Sequence, residues 1–333
     1  MATQSPNRPP YVSVSNLTKK FGDLIAVDNL SFDVYENEIF GFLGPNGAGK
    51  STTLNIITTL LDYDRGDVKV AGYGLDKNAK AIKSLLGVVP QDIALYKRLT
   101  AAENVRFFAS LYGLRGSALR KAADEAIAFV GLEEWAKKPV GKMSGGMQRR
   151  INIACGIAHG PKLIVMDEPT VGVDTQSREQ ILKSIKILRD RGATIIYTSH
   201  YMPEVQAICD RIAIIDKGRL AAIGTESELL EHVTGHSTLN VDLADSNEEA
   251  PRKLMDAISS APGVKGAAFK ATERRIRIDT DLVLANLSPI LKILADSNIP
   301  IAKVSSEAPD LETTFLALTG NRLNKEDEDA ADN

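Results

Sequence analysis

The sequence predicts an α/β fold whose core is a parallel, doubly wound sheet. The first observation is a continuous apolar run at Leu163–Met166, which is typical of a parallel strand covered on both faces. The second is the alternation of strand-like and helix-like segments between Ile39 and Ile215. Ligands of such sheets bind outside the carboxyl ends of the strands, so we expect the polar residues that follow the strands to form one site.

Composition is ordinary for a globular protein. The 333 residues, of which 25% are charged and 44% hydrophobic, are enough for two domains. The net charge of −3 gives no global attraction to nucleic acid. No apolar run approaches the roughly 20 residues that span a bilayer, and Met1–Pro10 lacks the apolar centre of a signal peptide. We interpret Cys155 and Cys209 as free thiols of a reducing cytosol, and we expect any role at a membrane to be peripheral.

A phosphate-binding loop follows the apolar strand predicted at Ile39–Leu43. The pattern is G-x-x-x-x-G-K-[ST], and a helix-like segment comes after it. The loop is Gly44-Pro45-Asn46-Gly47-Ala48-Gly49-Lys50-Ser51-Thr52. Its glycines let backbone N–H groups converge on phosphates at the positive end of a helix dipole. Lys50 is expected to contact the β- and γ-phosphates of a nucleoside triphosphate, and the Ser51 hydroxyl to bind Mg²⁺. The alternative is a glycine-rich turn without function, which the flanking strand and helix disfavour.

Two carboxylates follow the apolar run Leu163–Met166. Asp167, at the strand end, is expected to hold the Mg²⁺ shell through water. Glu168 is placed to act as a general base on the attacking water. The alternative is an exposed acidic pair at a strand end, which the phosphate-binding loop upstream disfavours.

Three further polar features end a strand or open a helix. Gln91 follows the strand Leu86–Pro90 and is a candidate for contact with Mg²⁺ or the water. His200 follows the strand Ala193–Thr198 and is a candidate for contact with the γ-phosphate; either residue alone is more often a structural hydrogen-bonding group. Ser144-Gly145-Gly146 opens a helix and offers a second place for an anion. Both anion sites could serve one nucleotide if two copies of the protein met head to tail.

The segments around the core predict smaller structures. Tyr11–Asp33 alternates apolar and polar residues around the turn Phe21-Gly22-Asp23, which indicates an antiparallel hairpin. Asp67–Leu75 shows strand-like alternation as well. From Thr100 to about Val130 the pattern is helical.

A domain boundary is predicted near Thr234-Gly235. Beyond it, residues 235–320 predict a small α+β domain with its own core. Its predicted elements are a strand at Thr238–Leu243, a helix at Arg252–Ser260, a hairpin at Val264–Asp279, a helix at Leu282–Ser297, a strand at Ile301–Val304 and a helix at Leu311–Leu318. Residues 321–333 are predicted to be a disordered acidic tail, and residues 1–10 a flexible one.

These motifs, in this order, resemble the ATPase subunit of an ABC transporter. The resemblance covers about Tyr11–Thr234 and is specific, because several independent motifs keep their order and spacing. The matching motifs are Walker A at Gly44–Thr52, the Q-loop at Gln91, the signature at Met143–Met147, Walker B at Leu163–Pro169, the D-loop at Gly172-Val173-Asp174 and the H-loop at His200. Phe21 lies where the family has an aromatic residue that stacks on adenine. Similarity to the ABC-2 type exporter branch, and to daunorubicin-resistance-like ATPases in particular, lies in Thr58–Gly74, Ser144–Arg150 and Cys209–Thr225.

The resemblance implies a P-loop NTPase fold of the ABC ATPase type for residues 11–234. Such a fold has a RecA-like parallel core, an antiparallel β subdomain and a helical subdomain, here over about residues 92–158. ATP and Mg²⁺ are the implied cofactors, and Asp174 joins the nucleotide-binding residues. Two subunits, as a homodimer or heterodimer, would sandwich two ATP molecules between the phosphate loop of one chain and the signature of the other. A separate transmembrane permease is implied, with the ATPase subunits peripheral on the cytoplasmic face of the cell membrane, and no nucleic acid is expected.

Three positions decide how closely this chain follows the family pattern. Met147 stands where the broad family has glutamine, so a polar contact to the opposing nucleotide is in doubt, although methionine is familiar in the ABC-2 branch. Phe21 replaces the commoner tyrosine and can still stack. His200 is retained, which favours hydrolysis.

Two other function classes are alternatives to the exporter ATPase. An ABC protein that acts on ribosomes or DNA would usually have a second ATPase half or a long coiled coil. This chain has one ATPase unit and no heptad insertion between Gln91 and Ser144, and its acidic tail suits nucleic acid poorly. A binding module that uses ATP only as a switch would lack the catalytic carboxylate, yet Glu168 is present. The sequence does not name the cargo.

Overall fold

The computed structural model describes residues 9–231, 237–244, 249–270, 274–280, 287–297, 299–307 and 311–320. The chain forms two compact units that divide between Glu226 and Ser227. The boundary predicted near Thr234-Gly235 lies outside the described residues, and so does the acidic tail predicted for residues 321–333.

The first unit contains two β-sheets. Its strands are β1 (Val12–Phe21), β2 (Leu24–Val34), β3 (Ile39–Leu43), β4 (Arg65–Val70), β5 (Tyr73–Gly74), β6 (Leu86–Val89), β7 (Leu163–Asp167), β8 (Thr194–Ser199), β9 (Arg211–Asp216) and β10 (Arg219–Gly224). The larger sheet has the strand order β10-β9-β3-β8-β7-β6. Its strands from β9 to β6 are parallel to their neighbours, and β10 pairs antiparallel with β9. The predicted parallel core is confirmed.

Helices connect the parallel strands. They are α1 (Lys50–Ile57), α2 (Leu75–Leu85), α3 (Ala101–Leu111), α4 (Gly116–Phe129), α5 (Gly145–Ile157), α6 (Thr175–Asp190) and α7 (Met202–Ile208), whereas α8 (Glu226–Glu231) follows β10 and begins at the boundary between the units. Each parallel connection needs such a crossover, because the chain must return to the other end of the sheet. In the part of the chain that the structure describes, no helix is long and apolar enough to cross a membrane.

The smaller sheet of the first unit is antiparallel, in the order β2-β1-β4-β5. β1 and β2 form the predicted hairpin, which closes at the pair Phe21 and Leu24. This sheet shares one hydrophobic core with the larger sheet. Phe32 of β2 stacks on the fully buried Phe40 of β3, with ring centroids 5.5 Å apart and planes 8° apart. Burial of such large apolar side chains holds the two sheets together.

The strand predicted at Asp67–Leu75 is interrupted by a turn, on either side of which β4 and the short β5 pair antiparallel. β4 ends before Ala71 and Gly72, which have positive φ angles of 51° and 79°. A left-handed pair of residues turns the chain and cannot continue an extended strand. Leu75 then begins α2, a helix that the sequence-based prediction missed. Leu75 and Ile82 are buried on one face of that helix.

The segment predicted as a helical subdomain contains α3, α4 and α5, which pack on one another. α3 begins after Thr100. The Thr100 hydroxyl accepts from the Glu103 N–H at 3.2 Å, and the Glu103 carboxylate accepts from the Thr100 N–H at 2.8 Å. This reciprocal cap satisfies two backbone groups that a helix start leaves without partners. Val105 and Ala109 are buried on the same helix.

The second unit is an antiparallel sheet with helices and a core of its own. Its elements are β11 (Ser237–Leu243), α9 (Glu249–Ser259), β12 (Val264–Lys270), β13 (Arg275–Thr280), α10 (Ser288–Asp296), β14 (Ile301–Glu307) and α11 (Leu311–Thr319). The strand order is β12-β13-β11-β14. α10 begins at Ser288, and the predicted start at Leu282 lies outside the described residues. Pro289 lies in its first turn, where a proline displaces no helical hydrogen bond, whereas further inside a helix its ring would clash with the preceding turn.

Candidate functional site

The predicted phosphate loop leaves β3 inside the larger sheet and passes very close to other backbone. A Cβ on Gly44 would lie 2.5 Å from the carbonyl oxygen of Ile215, and a Cβ on Gly49 would lie 2.4 Å from that of Ala26. Gly49 also has a φ of +97°. Only glycine fits these two positions. α1 begins at the next residue, and its first N–H groups have no partner within the helix, so this loop is suited to hold phosphate.

The Lys50 ammonium lies inside this loop. Nζ donates to the carbonyl oxygens of Gly44 at 2.7 Å and Pro45 at 3.1 Å, and the residue is 6% exposed. Burial lowers the pKa of Lys50, and the nearby charges of Glu168 and Asp167 oppose that shift. The loop therefore holds a cation at the start of α1, next to the two predicted carboxylates.

A single hydroxyl binds the carboxylate of Asp167 and the backbone of Glu168. Thr198 Oγ1 donates to Asp167 Oδ1 at 2.6 Å and accepts from the Glu168 N–H at 2.9 Å. Asp167 and Thr198 are direct partners in the register of β7 and β8. Glu168 has a φ of 44°, in the left-handed region. For a residue other than glycine this conformation costs on the order of 1–3 kcal/mol and persists only where neighbouring contacts enforce it.

Gln91 and His200 both reach the Glu168 carboxylate. Gln91 Nε2 donates to Glu168 Oε2 at 3.3 Å, and His200 Nδ1 lies 3.3 Å from the same oxygen. The His200 contact lowers the pKa of Glu168 against the effect of burial, and Lys50 and Arg149 add to the lowering. The same contact raises the pKa of His200, again against burial. Side chains that follow β6, β7 and β8 thus meet at one edge of the sheet, around an ionised carboxylate.

Lys50, Gln91 and Glu168 line a cleft of about 440 Å³ beside the β1–β2 hairpin, whereas His200 lies outside its lining. The predicted residues that line it are Phe21, Asn46, Gly47, Gly49, Lys50, Ser51, Thr52, Gln91 and Glu168. Phe21 is 47% exposed, so a planar group can stack on its ring. Leu24, Ile25 and Lys217 also line the cleft, and our sequence analysis missed them. Leu24 and Ile25 are apolar residues directly after a hairpin turn, where polar residues are usual. This departure from the usual pattern could have identified them as residues of the cleft.

The predicted signature residues lie apart from this cleft. Ser144 caps α5, and its Oγ accepts from an N–H in the first turn at 3.2 Å. A Cβ on Gly146 would lie 2.4 Å from Ser177 Oγ, so α5 starts in close contact with α6. Asp174 caps α6 by accepting from the Ser177 N–H at 2.9 Å and the Ser177 hydroxyl at 2.8 Å. Ser144, Gly145, Gly146 and Asp174 therefore stand at two neighbouring helix starts, and none of them lines the cleft.

Arg149, which our sequence analysis did not single out, connects α5 to the site. The residue is 5% exposed. Nη1 donates to the carbonyl oxygens of Pro90 at 3.1 Å and Gln91 at 2.5 Å, and Nη2 donates to that of Val171 at 3.4 Å. Gln91 is 58 positions away in the sequence, so no local pattern announces this contact. The helix that begins after Ser144 is thereby tied to the loop that carries Gln91.

The residues predicted to bind Mg²⁺ are Ser51, Gln91 and Asp167. Among the described residues, no three His, Cys, Asp or Glu side chains are grouped so that they could hold a metal ion. Mg²⁺ commonly keeps several waters and binds one or two carboxylates together with substrate phosphates. A hydroxyl, an amide and one carboxylate supply oxygen donors of this kind. The donor set fits Mg²⁺ that arrives with a nucleotide and does not fit an all-protein metal cage.

Known proteins match this chain over nearly its whole length. Residues 27–171 match the family model described as ABC transporter. The chain is 41% identical to the linearmycin resistance ATP-binding protein LnrL of Bacillus subtilis (strain 168), over 94% of this chain and 99% of the relative. The chain belongs to the ATP-binding proteins of ABC transporters. It is also 34% identical to the Nod factor export ATP-binding protein I of Ralstonia nicotianae, over 94% of this chain and 95% of that protein. It is 31% identical to the daunorubicin resistance ATP-binding protein DrrA3 of Streptomyces coeruleorubidus, over 93% of this chain and 96% of that protein.

Solved structures of ABC cassettes share the fold. An ATP-binding subunit of an ABC transporter matches with a TM-score of 0.62 at 26% identity, over 67% of this chain and 93% of that one. The dimeric ATP-binding cassette MJ0796, in a post-hydrolysis state bound to ADP and Pi, matches with a TM-score of 0.60 at 29% identity. The match covers 64% of this chain and 98% of that one. The predicted family, the ABC ATPase fold and the ATPase activity are confirmed. This ABC protein binds ATP and hydrolyses it.

The contact between His200 and Glu168 predicts a measurable pH dependence. In an NMR titration of the histidine ring protons, His200 should have a pKa above its ordinary value of 6.5. His159, whose pKa burial lowers, should titrate below 6.5 and serve as an internal control. Glu168→Gln should lower the pKa of His200 and leave that of His159 unchanged, with His200→Gln used to assign the signal.

The sign of the stability effect follows from this shift. Because the pKa of His200 is higher in the folded than in the unfolded state, its contact with Glu168 stabilises the fold fully below pH 6.5. That contribution is lost as the pH rises through the folded-state pKa. A wild-type pKa of His200 at or below 6.5 would contradict the geometry described for the pair.

Proposed function

We propose that this ABC ATPase powers an exporter by driving a separate membrane permease, with ATP bound in the cleft beside Phe21. The observation that carries the proposal is the convergence of Gln91 and His200 on the Glu168 carboxylate, each 3.3 Å from Oε2. This carboxylate lies at the sheet edge where the phosphate loop begins. A cleft that only bound ATP would not need an ionised carboxylate held in this way.

Binding uses the phosphates and the base of ATP. Gly44–Thr52 supplies backbone N–H groups to the phosphates. Lys50, which donates to loop carbonyls, turns its ammonium to the β- and γ-phosphates. Phe21 offers the face of its ring to adenine, and Leu24 and Ile25 supply apolar surface at the same end of the cleft.

Hydrolysis needs a group that takes a proton from the attacking water, and Glu168 has this role. Its lowered pKa keeps the carboxylate ionised at neutral pH, so it is ready to accept the proton. His200 orients Glu168 and faces the γ-phosphate. Ser51, Gln91 and Asp167 would hold Mg²⁺, and this ion neutralises charge on the β- and γ-phosphate oxygens when bound.

Two subunits act together in this proposal, as a homodimer or as a heterodimer. Ser144, Gly145, Gly146 and Asp174 form helix starts suited to an anion, yet they lie apart from the cleft of their own chain. A second copy arranged head to tail brings these groups onto the ATP of the first. The dimeric state of the related cassette MJ0796 supports this arrangement.

The permease makes the contacts with the transported compound, and the class of that compound is inferred from relatives. Their names refer to linearmycin resistance, daunorubicin resistance and Nod factor export. We therefore propose export of a drug, a lipid or another hydrophobic compound, with the ATPase at the cytoplasmic face of the cell membrane. A role on ribosomes or DNA has no support among these relatives.

The domain division is also a proposal. We assign residues 11–234 to ATP hydrolysis, with a helical subdomain at about residues 92–158, and residues 235–320 to an accessory domain. The second unit has a core of its own, built around side chains such as Leu239, Ile276 and Ile290. No ATP-site residue lies in it, so we propose that it stabilises the dimer or regulates it.

Glu168→Gln tests the proposed mechanism. The variant should bind ATP with wild-type affinity and hydrolyse it about 100-fold more slowly or worse, because a carboxamide is a poor base of nearly the same size. It should then accumulate as an ATP-bound dimer in size-exclusion chromatography. Lys50→Ala is the control, since removal of the phosphate-binding charge should weaken nucleotide binding itself. Near-wild-type turnover of Glu168→Gln would remove Glu168 from the role of base.

Mixed subunits test the composite site. Lys50→Ala and Ser144→Arg should each be inactive alone. Their mixture should recover part of the ATPase activity, because a heterodimer keeps one site with both an intact Lys50 and an intact Ser144. The measurement is ATPase rate against mixing ratio, with mixed dimers verified by differential tags. Absence of any recovery despite verified mixed dimers would count against the head-to-tail arrangement.

Truncation after Thr234 tests the role of the second unit. The shortened chain keeps every proposed ATP-site residue and should bind ATP, while self-association or permease-coupled turnover should fall. Loss of ATP binding by a truncated chain that remains folded would make the unit part of the site. Full retention of dimerisation and coupled transport would make it a passive appendage.

A further inference from the structure

Glu204, on α7, is a buried carboxylate that the mechanism above does not use. It is 2% exposed. Its Oε2 accepts hydrogen bonds from the hydroxyls of Thr170 at 2.7 Å, Tyr197 at 2.6 Å and Ser199 at 3.1 Å. Its Oε1 lies 3.2 Å from Nε of Arg178 on α6. A buried carboxylate is tolerated when its oxygens are paired and hydrogen-bonded in this way.

The partners of Glu204 flank the residues of the ATP site. Thr170 follows Glu168 by two positions, and Ser199 directly precedes His200. One carboxylate oxygen therefore joins the segment that leaves β7 to the end of β8. These two segments carry the side chains that meet 3.3 Å apart, between Glu168 Oε2 and His200 Nδ1.

The backbone of Glu168 explains why the segment after β7 needs such a link. Its φ of 44° is unfavourable for a residue with a side chain. Such a conformation persists only where contacts of the neighbouring chain segments hold it. On one side the Thr198 hydroxyl binds the Glu168 N–H at 2.9 Å. On the other side Thr170 is fixed to Glu204 at 2.7 Å.

We propose that Glu204 is a positioning residue for ATP hydrolysis, which acts through Thr170 and Ser199 to hold Glu168 and His200 in their mutual geometry. The inference rests on the proposed role of Glu168 as the base. Glu204 touches neither the nucleotide nor the water, so its loss should affect turnover and leave ATP binding intact.

Glutamine cannot replace Glu204 in this network, although it has nearly the same volume. With the amide nitrogen at the place of Oε2, the three hydroxyls lose their common acceptor. With the amide nitrogen at the place of Oε1, an N–H donor faces the guanidinium of Arg178. Glu204→Gln therefore loosens the link in either orientation.

The test compares Glu204→Gln with a matched control. Glu38 is also buried, at 5% exposure; it accepts from the Tyr35 N–H at 2.7 Å and lies 3.2 Å from Arg211 Nη1. It precedes β3 and so stands at the opposite end of the sheet from the phosphate loop. Misplacement of a catalytic group by about 1 Å can cost 100-fold, so we expect kcat of Glu204→Gln to fall about 10- to 100-fold with KM and Kd for ATP unchanged. Glu38→Gln should keep a wild-type kcat, measured below the melting temperature of both variants.

A second pair of variants removes one hydroxyl each and keeps the shape of the side chain. Thr170→Val deletes one link to Glu204, and kcat should fall in the same direction by a smaller factor. Thr194→Val is its control, because Thr194 is buried at the other end of β8 and accepts from the Asn37 N–H at 3.1 Å. If Glu204→Gln does not fold, this pair decides the question.

The outcomes separate the two proposals. A wild-type kcat in Glu204→Gln or Thr170→Val, or an equal loss in the control variants, would overturn the positioning role. A rise in KM with kcat unchanged would overturn it as well, since it would place Glu204 in nucleotide binding. Glu168→Gln in the same assay gives the reference: normal turnover there refutes the proposed base, whereas its inactivity beside an active Glu204→Gln refutes only the present inference.

Discussion

The ATP site depends on two places where backbone touches backbone without room for a side chain. Gly44 lies against Ile215 of β9, and Gly49 lies against Ala26 of β2. The first contact belongs to the parallel sheet and the second to the antiparallel sheet, so the phosphate loop is wedged at the seam between them. The cleft consequently has the apolar tip of the hairpin at one end and the carboxyl edge of the parallel strands at the other.

Burial and contacts between charged groups together set the protonation states around the loop. Burial lowers the pKa of Lys50, while the nearby carboxylates oppose that shift. Contact with His200 lowers the pKa of Glu168 and raises that of His200. Glu168 therefore favours the charged states of Lys50 and His200, and both of them favour the ionised state of Glu168, whereas Lys50 disfavours the charged state of His200. The proposed base, Glu168, is thus kept ionised by its contact with His200, the residue proposed to orient it.

Local patterns in the sequence were enough to predict most of the elements that form the candidate site. The glycine loop, the apolar run before Asp167 and the cap at Ser144 are each encoded within about ten residues, and the structure has them where they were predicted. Arg149 and Glu204 were missed because their partners are distant in sequence: Arg149 reaches across 58 positions to Gln91 and Glu204 across 34 to Thr170. Only the pairing of strands and the packing of helices bring such residues together.

The register of the parallel strands places the loops of the ATP site next to one another. Asp167 of β7 pairs with Thr198 of β8, and Ser199 of β8 pairs with Leu43 of β3. The three loops that begin with Gly44, Glu168 and His200 therefore leave the sheet within one residue of the same level, a rise of about 3.3 Å. A slip of one residue in either pairing would turn alternate side chains to the other face and separate the base from the phosphate loop. The apolar contacts that fix the register of these buried strands are therefore a condition of ATP hydrolysis, although none of them touches ATP.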